Sequence, residues 1–230
     1  LLLLLINSYF FLTGACLGSF MTCCADRIST KQPWNWSQRS RCPHCQTQLR
    51  YWQLTPIIGL LLQRGHCYTC HQPISWTSTW IELLCGSLLL YNWQALSMLT
   101  IVWLSCYFVL IFNSLTDYHT FQVYPLTLIL PALLGLSQRH LIWDNALLLV
   151  LFLLVGLYLV ARLTNKFGLG DVDVLLLLIC VASPVQVITS LTLAAIGALV
   201  VLSQYQQRQL PFVPFISWGF ILVTQLGLAN

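Results

Sequence analysis

Long stretches without charge constrain this chain more than any other feature. Residues 145–163 hold a single charged side chain, Arg162, and residues 174–201 hold none. Runs of this length and polarity cross a hydrocarbon layer, where only helices and closed barrels satisfy their backbone. They are continuous and lack the period-two alternation of a barrel strand, so they predict helices. At 58% hydrophobic and 7% charged, the whole chain carries more apolar surface than a soluble domain needs. The expected fold class is an all-α polytopic membrane protein.

Spans are expected at 1–24, 80–96, 98–114, 123–136, 145–163 and 212–228, with a broken pair at 172–182 and 185–203 divided by Ser183-Pro184. That makes about seven to eight transmembrane or re-entrant helices, several of them shorter than the roughly 20 residues of a full crossing. The first run is long for a signal peptide, and Cys23 and Cys24 lead into Asp26-Arg27 rather than a small-residue cleavage site. The chain opens on Leu1, not Met, so its extreme N-terminus is expected to be missing. Gly14, Gly18 and Ser19 put small residues on one side of the first helix, where a neighbour can approach closely. No internal repeat or low-complexity linker stands out.

Residues 25–79 break the apolar pattern. Arg27, Lys31, Arg39, Arg41, Arg50 and Arg64 fall here, six of the ten basic residues. An excess of Lys and Arg marks a cytoplasmic loop, and this orients everything downstream. Counting crossings then brings Asp117 and Asp171 to the cytoplasmic edge, together with Arg162 and Lys166, and with Arg208 if the broken pair is a full hairpin, and leaves Arg139 and His140 outside against the rule. The basic residues follow topology instead of forming one face, which argues against nucleic acid as a partner.

Lys166-Phe167-Gly168-Leu169-Gly170-Asp171 is a short polar interruption between two apolar runs. An acid at the mouth of a membrane helix is costly, and by default it is read as functional. Gly168 and Gly170 remove bulk, so another backbone can come near. Asp171 on its own could serve only as a helix cap. Asp117 on the same side changes this: two carboxyls brought close cannot both ionise, and they share a proton at neutral pH. One then takes a proton from water while the other hydrogen-bonds a scissile carbonyl, which is aspartic-protease chemistry. The pair titrates as a unit, so base and acid are not assigned to individual residues. Asp173, two positions on, faces away from Asp171 and is read as solvated or capping. Asp26, Asp144 and His119 are read as interfacial or solvated.

Cys42-x-x-Cys45 and Cys67-x-x-Cys70 have zinc-ribbon spacing. Two disulfides are the competing reading, and a reducing cytoplasm argues against them. His44, His66 and His71 interleave with the thiols, but the spacing favours four cysteines. A closed four-thiolate site would fold a loop that lacks a core of its own. Cys16, Cys23, Cys24, Cys85, Cys106 and Cys180 are scattered through apolar runs and read as packing residues.

Gly168-Leu169-Gly170-Asp171 resembles the GxGD element of membrane-embedded aspartic proteases. Other segments are similar to those of the type IV prepilin peptidases. These are Gly14-Ala15-Cys16-Leu17-Gly18-Ser19-Phe20 followed by Arg27, Ser40-Arg41-Cys42-Pro43-His44-Cys45, and Arg64-Gly65-His66-Cys67-Tyr68-Thr69-Cys70, with Pro56 between the last two. Glu82 heads the second span, and the order Asp117 then Gly168-x-Gly170-Asp171 completes the match, over roughly residues 10–180. Small size and Gln122-Val123-Tyr124-Pro125-Leu126 look most like the competence-type members of Gram-positive bacteria. The chain departs from many members in three places. No Pro-Asp or Pro-Asn follows Asp117, Asp173 stands where a Lys is common, and Gln53 stands where an acid is common before the loop proline.

The resemblance implies a bacterial cytoplasmic-membrane endopeptidase with Asp117 and Asp171 as its catalytic pair and Gly168 and Gly170 positioning them. It implies cleavage of a basic leader from prepilin or pseudopilin substrates at the cytoplasmic face, in contact with the lipid bilayer. It also implies methylation of the new N-terminus from S-adenosylmethionine, for which the sequence shows no glycine-rich nucleotide fingerprint. The expected layout is a first helix at 1–24, a four-cysteine zinc domain at 25–79 and a peptidase core at 80–230. Two alternatives are a general intramembrane protease of the GxGD type and a non-enzymatic zinc-dependent scaffold.

Overall fold

The computed structural model describes residues 1–30, 39–95, 97–138, 145–164, 168–205 and 209–227. Lys31, Arg139, His140, Asp144, Lys166, Phe167 and Arg208, named above, lie outside the described residues. Those described are mostly helical and form no strand. The helices are α1 (Leu2–Ser29), α2 (Ile58–Leu62), α3 (Thr77–Asn92), α4 (Met98–Thr120), α5 (Pro125–Gln138), α6 (Asn145–Thr164), α7 (Leu169–Val181), α8 (Pro184–Tyr205) and α9 (Val213–Gln225). By length and composition α1, α4, α6 and α8 can each cross a membrane, and α5 and α9 are shorter apolar helices. With α3 and α7 this gives eight substantial helices, in keeping with the seven to eight expected. The chain divides into two compact units, Leu1–Leu96 and Ser97–Asn230.

In the first unit α1 and α3 pack along each other. The small residues on α1 set the distance: a Cβ on Gly14 would collide with the Cys85 carbonyl, and one on Gly18 would stand 2.9 Å from the Ile81 carbonyl. Gly86 answers from α3, where a Cβ would lie 2.8 Å from the Phe11 ring. Without side chains at these points the two backbones meet and dispersion contacts run their length, the main attraction available in lipid. Helix α1 continues five residues past the expected end at 24, to Ser29, with Arg27 in its last turn where a cation suits the helix dipole.

Between α1 and α3 the chain forms two similar turns. Cys42 N–H donates to the Thr47 carbonyl at 3.0 Å and Gln46 N–H to the Cys42 carbonyl at 2.9 Å. Twenty-five positions on, Cys67 N–H donates to Gln72 and His71 N–H to Cys67, both at 2.9 Å. Gln46 and His71 both adopt left-handed backbone, at φ 58° and 56°. Antiparallel bridges close each turn, Arg41 with Gln48 and His66 with Pro73. The duplication lies in the backbone and in the paired cysteines; the other side chains of the two turns differ.

The linker between the turns is tied to α3 by one buried acid. Glu82 accepts the Ile57 N–H at 2.7 Å and the Ser78 hydroxyl at 3.0 Å. Ile57 itself has φ 62° and ψ −56°, and Ile58 N–H reaches back to the Pro56 carbonyl at 2.5 Å. This is a positive-φ γ-turn centred on a β-branched residue, a strained arrangement costing on the order of 1–3 kcal/mol.

The second unit is organised by α4 and α9, which run antiparallel. Tyr107 donates to Thr224 Oγ1 at 2.7 Å, and Ser114 Oγ lies 2.7 Å from Ser217 Oγ. The rings of Trp103 and Phe220 stack with centroids 5.7 Å apart. Moving toward the end of α4 therefore means moving toward the start of α9. Helix α4 also runs past its expected end at residue 114 and stops where Phe121 turns left-handed, at φ 55°, its N–H on the Asp117 carbonyl at 2.9 Å. The break between α7 and α8 is a reciprocal cap: Gln186 N–H donates to Ser183 Oγ at 3.3 Å and Ser183 N–H to Gln186 Oε1 at 3.0 Å, with Pro184 opening α8.

Candidate active site

Asp117 lies in the last turn of α4 and is buried, with 6% of its surface exposed. Its Oδ2 accepts the Val213 N–H at 3.1 Å, and the Phe212 N–H also faces the carboxyl. Phe212, at the N-cap of α9, supplies no cap of its own. Asp117 thus does from another helix what an N-cap side chain does locally, satisfying orphan donors at the positive end of the α9 dipole.

Asp171 stands at the third position of α7, also buried, at 8% exposed. The Gly168 N–H faces its carboxyl, and the Asp171 N–H returns to the Gly168 carbonyl at 3.2 Å. The two glycines of the segment have separate jobs. A Cβ on Gly168 would lie 3.1 Å from Asp171 Oδ2, so a bare N-cap lets the carboxyl fold back onto it. A Cβ on Gly170 would lie 2.6 Å from Val123 Cγ2, so glycine lets the α4–α5 connection press against α7.

Helices α4 and α7 touch, and the Asp117 carboxyl lies within electrostatic reach of Asp171. The fold thus brings together two buried acids separated by more than fifty residues of chain. Asp173 is only partly buried and points about 200° round α7 from Asp171. His119 is exposed on the last turn of α4.

One positioning residue escaped the sequence reading. Asn113 is fully buried one helical turn before Asp117. Its Oδ1 accepts the Tyr124 N–H at 2.8 Å, and its Nδ2 donates to Thr127 Oγ1 at 2.8 Å and the Val109 carbonyl at 2.9 Å. Asn113 therefore holds the start of α5, and with it Val123 against Gly170. The signal was present: an amide in an apolar run, spaced i−4 from the acid.

The four expected metal ligands also converge. The sulfurs of Cys42, Cys45, Cys67 and Cys70 all lie within 4.8 Å of one another, with Cys42–Cys70 at 3.9 Å and Cys45–Cys67 at 4.0 Å. Tetrahedral zinc with Zn–S of about 2.3 Å requires sulfurs about 3.8 Å apart, so the set fits that ion. The Thr47 hydroxyl and then the Thr47 N–H bring the Cys45 thiol down to about 6, and the Cys70 and Thr69 N–H groups lower Cys67. For Cys70 the Gln72 N–H favours the thiolate, but burial and the neighbouring thiols outweigh it and push the group up to about 11. His44, His66 and His71 are not part of this group; His66 Nδ1 is 2.8 Å from the Arg64 carbonyl.

Residues 12–96 match the family described as Bacterial Peptidase A24 N-terminal domain. The chain is 31% identical to a prepilin leader peptidase/N-methyltransferase of Stutzerimonas stutzeri over 204 residues, covering 77% of this chain and 68% of that protein. A protein of the same description from Pseudomonas aeruginosa is 26% identical, with 90% of this chain and 85% of its own length aligned. One from Neisseria gonorrhoeae is 46% identical over 56 residues, 24% of this chain and 20% of that protein. No solved structure matches the chain.

Proposed function

Because this chain belongs to the prepilin leader peptidase/N-methyltransferase family, we propose that it cuts the leader from type IV prepilin-like precursors and methylates the new N-terminus. Asp117 and Asp171 are the peptidase pair. They share one proton; the ionised member draws a proton from water, and the neutral one hydrogen-bonds the scissile carbonyl. The hydroxyl adds to that carbonyl, the tetrahedral intermediate collapses, and the proton held by the pair passes to the leaving amine. The observation that carries this reading is the burial of two acids on α4 and α7 within reach of each other, in stretches (116–138 and 168–207) that hold no Lys or Arg.

The pair works at the cytoplasmic face of the plasma membrane. The substrate's apolar helix stays in the bilayer, which holds the leader junction at one depth and raises its effective concentration. Residues 25–79 form a zinc-bound cytoplasmic domain in which the four thiolates close the coordination shell, so the ion folds the loop and leaves no open position. The substrates are of the competence pseudopilin type. Methylation would draw on S-adenosylmethionine; the sequence has no glycine-rich fingerprint for it, and this activity rests on the family.

The test is co-expression with a prepilin, followed by mass spectrometry of its N-terminus. The reading requires a cut at the leader junction with one added methyl group. A cut inside the apolar helix would favour a general intramembrane protease, and intact precursor would refute peptidase activity.

A further inference from the structure

The four-cysteine loop carries a feature that metal binding and the acid pair leave unexplained. Helix α2 buries Gly59 and Leu60 but turns Ile58, Leu61 and Leu62 outward, at 52%, 57% and 64% exposed. Leu54 and Tyr51, just before it, are exposed as well. Three large aliphatics side by side on a five-residue helix are not a feature of a surface facing only water.

One tie fixes where α2 stands along the unit's membrane helices. Its N-terminus is tied by the Ile57 N–H to Glu82, 2.7 Å away. Glu82 is five residues into α3, so this tie lies about 7 Å along that helix from its first residue. Trp76 and Trp80, both exposed, mark the same end of α3 with the aromatic pair typical of a membrane–water boundary. The γ-turn at Ile57 and the buried carboxylate therefore hold α2 beside the mouth of α3, at the level of lipid headgroups.

Charge identifies the lipid. From Arg27 to Ile81 the sequence has six basic side chains and no carboxylate. They outnumber the two net negative charges that a four-thiolate zinc centre would carry. Two of them flank the apolar segment: the Arg39 guanidinium lies 4.1 Å over the Tyr51 ring, and that of Arg50 lies 5.9 Å over Tyr68. Exposed aliphatic side chains flanked by arginines are the composition of an interfacial anchor on an anionic surface.

We propose that residues 51–62 form an interfacial foot that seats the four-cysteine loop on anionic phospholipid, with Ile58, Leu61 and Leu62 among the acyl chains and Arg39 and Arg50 on the phosphates. The foot fixes the height of the loop above the bilayer, whatever reaction the protein performs.

The test uses the full chain in phosphatidylcholine vesicles with and without phosphatidylglycerol. A photoactivatable phosphatidylglycerol is added, and adducts and amide exchange are mapped by mass spectrometry. Adducts are expected on 51–62, with slowed exchange there only in the anionic vesicles. Arg39→Gln with Arg50→Gln should cut those adducts on the order of tenfold. Leu61→Gln with Leu62→Gln, which alters only exposed side chains, should also remove most of them. Adducts confined to the long helices, equal protection in both vesicles, or a co-purifying acidic protein or second copy covering 51–62 would each overturn the proposal.

Discussion

Asp117 Oδ2 accepts the backbone N–H of Val213 at 3.1 Å, so the last turn of α4 caps the first turn of α9. The bond joins residues ninety-six positions apart and sets one acid in the positive end of a helix dipole. A carboxylate held this way is oriented before substrate arrives. Asp171 is oriented differently, by Gly168 of its own helix.

Neither acid should be replaceable by its amide. Asp117→Asn and Asp171→Asn are each expected to lower leader cleavage on the order of 10²-fold or more, because an amide can neither take nor share the proton. Membrane insertion and helical content should be unchanged. Processed pilin, quantified by mass spectrometry, checks this; normal removal of the leader by either variant would refute the pair.

Gly170 and Val123 should behave as a coupled pair. Gly170→Ala places a methyl about 2.6 Å from Val123 Cγ2, an overpacking worth roughly 1–3 kcal/mol. Cleavage by the single variant should drop, and Val123→Ala added to it should recover most of the loss. Additive losses in this double-mutant cycle would show that Gly170 serves some other purpose.

Asn113→Leu keeps the apolar character of α4 but leaves the Tyr124 N–H without its acceptor. A stability loss of about 1–3 kcal/mol is expected from thermal unfolding in detergent. Since Asn113 acts through the start of α5, kcat should fall while the two aspartates remain in place. Wild-type kcat in a destabilised variant would confine Asn113 to a packing role.

The purified chain should hold one zinc ion, and Cys42→Ser or Cys67→Ser should abolish it. Binding should weaken as the solution is acidified. Cys45 sits at about 6 in the folded loop against an ordinary 9, so its contribution is complete above pH 9 and lost as pH falls through 6. Cys70, pushed up to about 11, must release a proton to the solvent whenever the metal binds at neutral pH. Zinc release followed with a chromophoric chelator should therefore increase as pH falls. Retention that does not change with pH would point to different ligands.

Much of this molecule is written locally in the chain. Uncharged runs demand helices in lipid, and the two Cys-x-x-Cys turns present their sulfurs within a few residues. Gly14 and Gly18 show where α1 can be approached, and α3 does approach there. Helix ends were harder to read, because α1 and α4 continue through polar residues that the hydropathy pattern assigns to loops. An apolar run marks where lipid begins but not where backbone hydrogen bonding stops, and in α4 that point is set by Phe121 entering left-handed backbone. Nothing in the order of residues says that Asp117 caps the α9 helix at Val213, that Val123 fills the space over Gly170, or that Glu82 holds a strained Ile57. Each of these joins distant segments, and which buried donor meets which acceptor is settled only when the helices pack and every polar group in the apolar interior must find a partner.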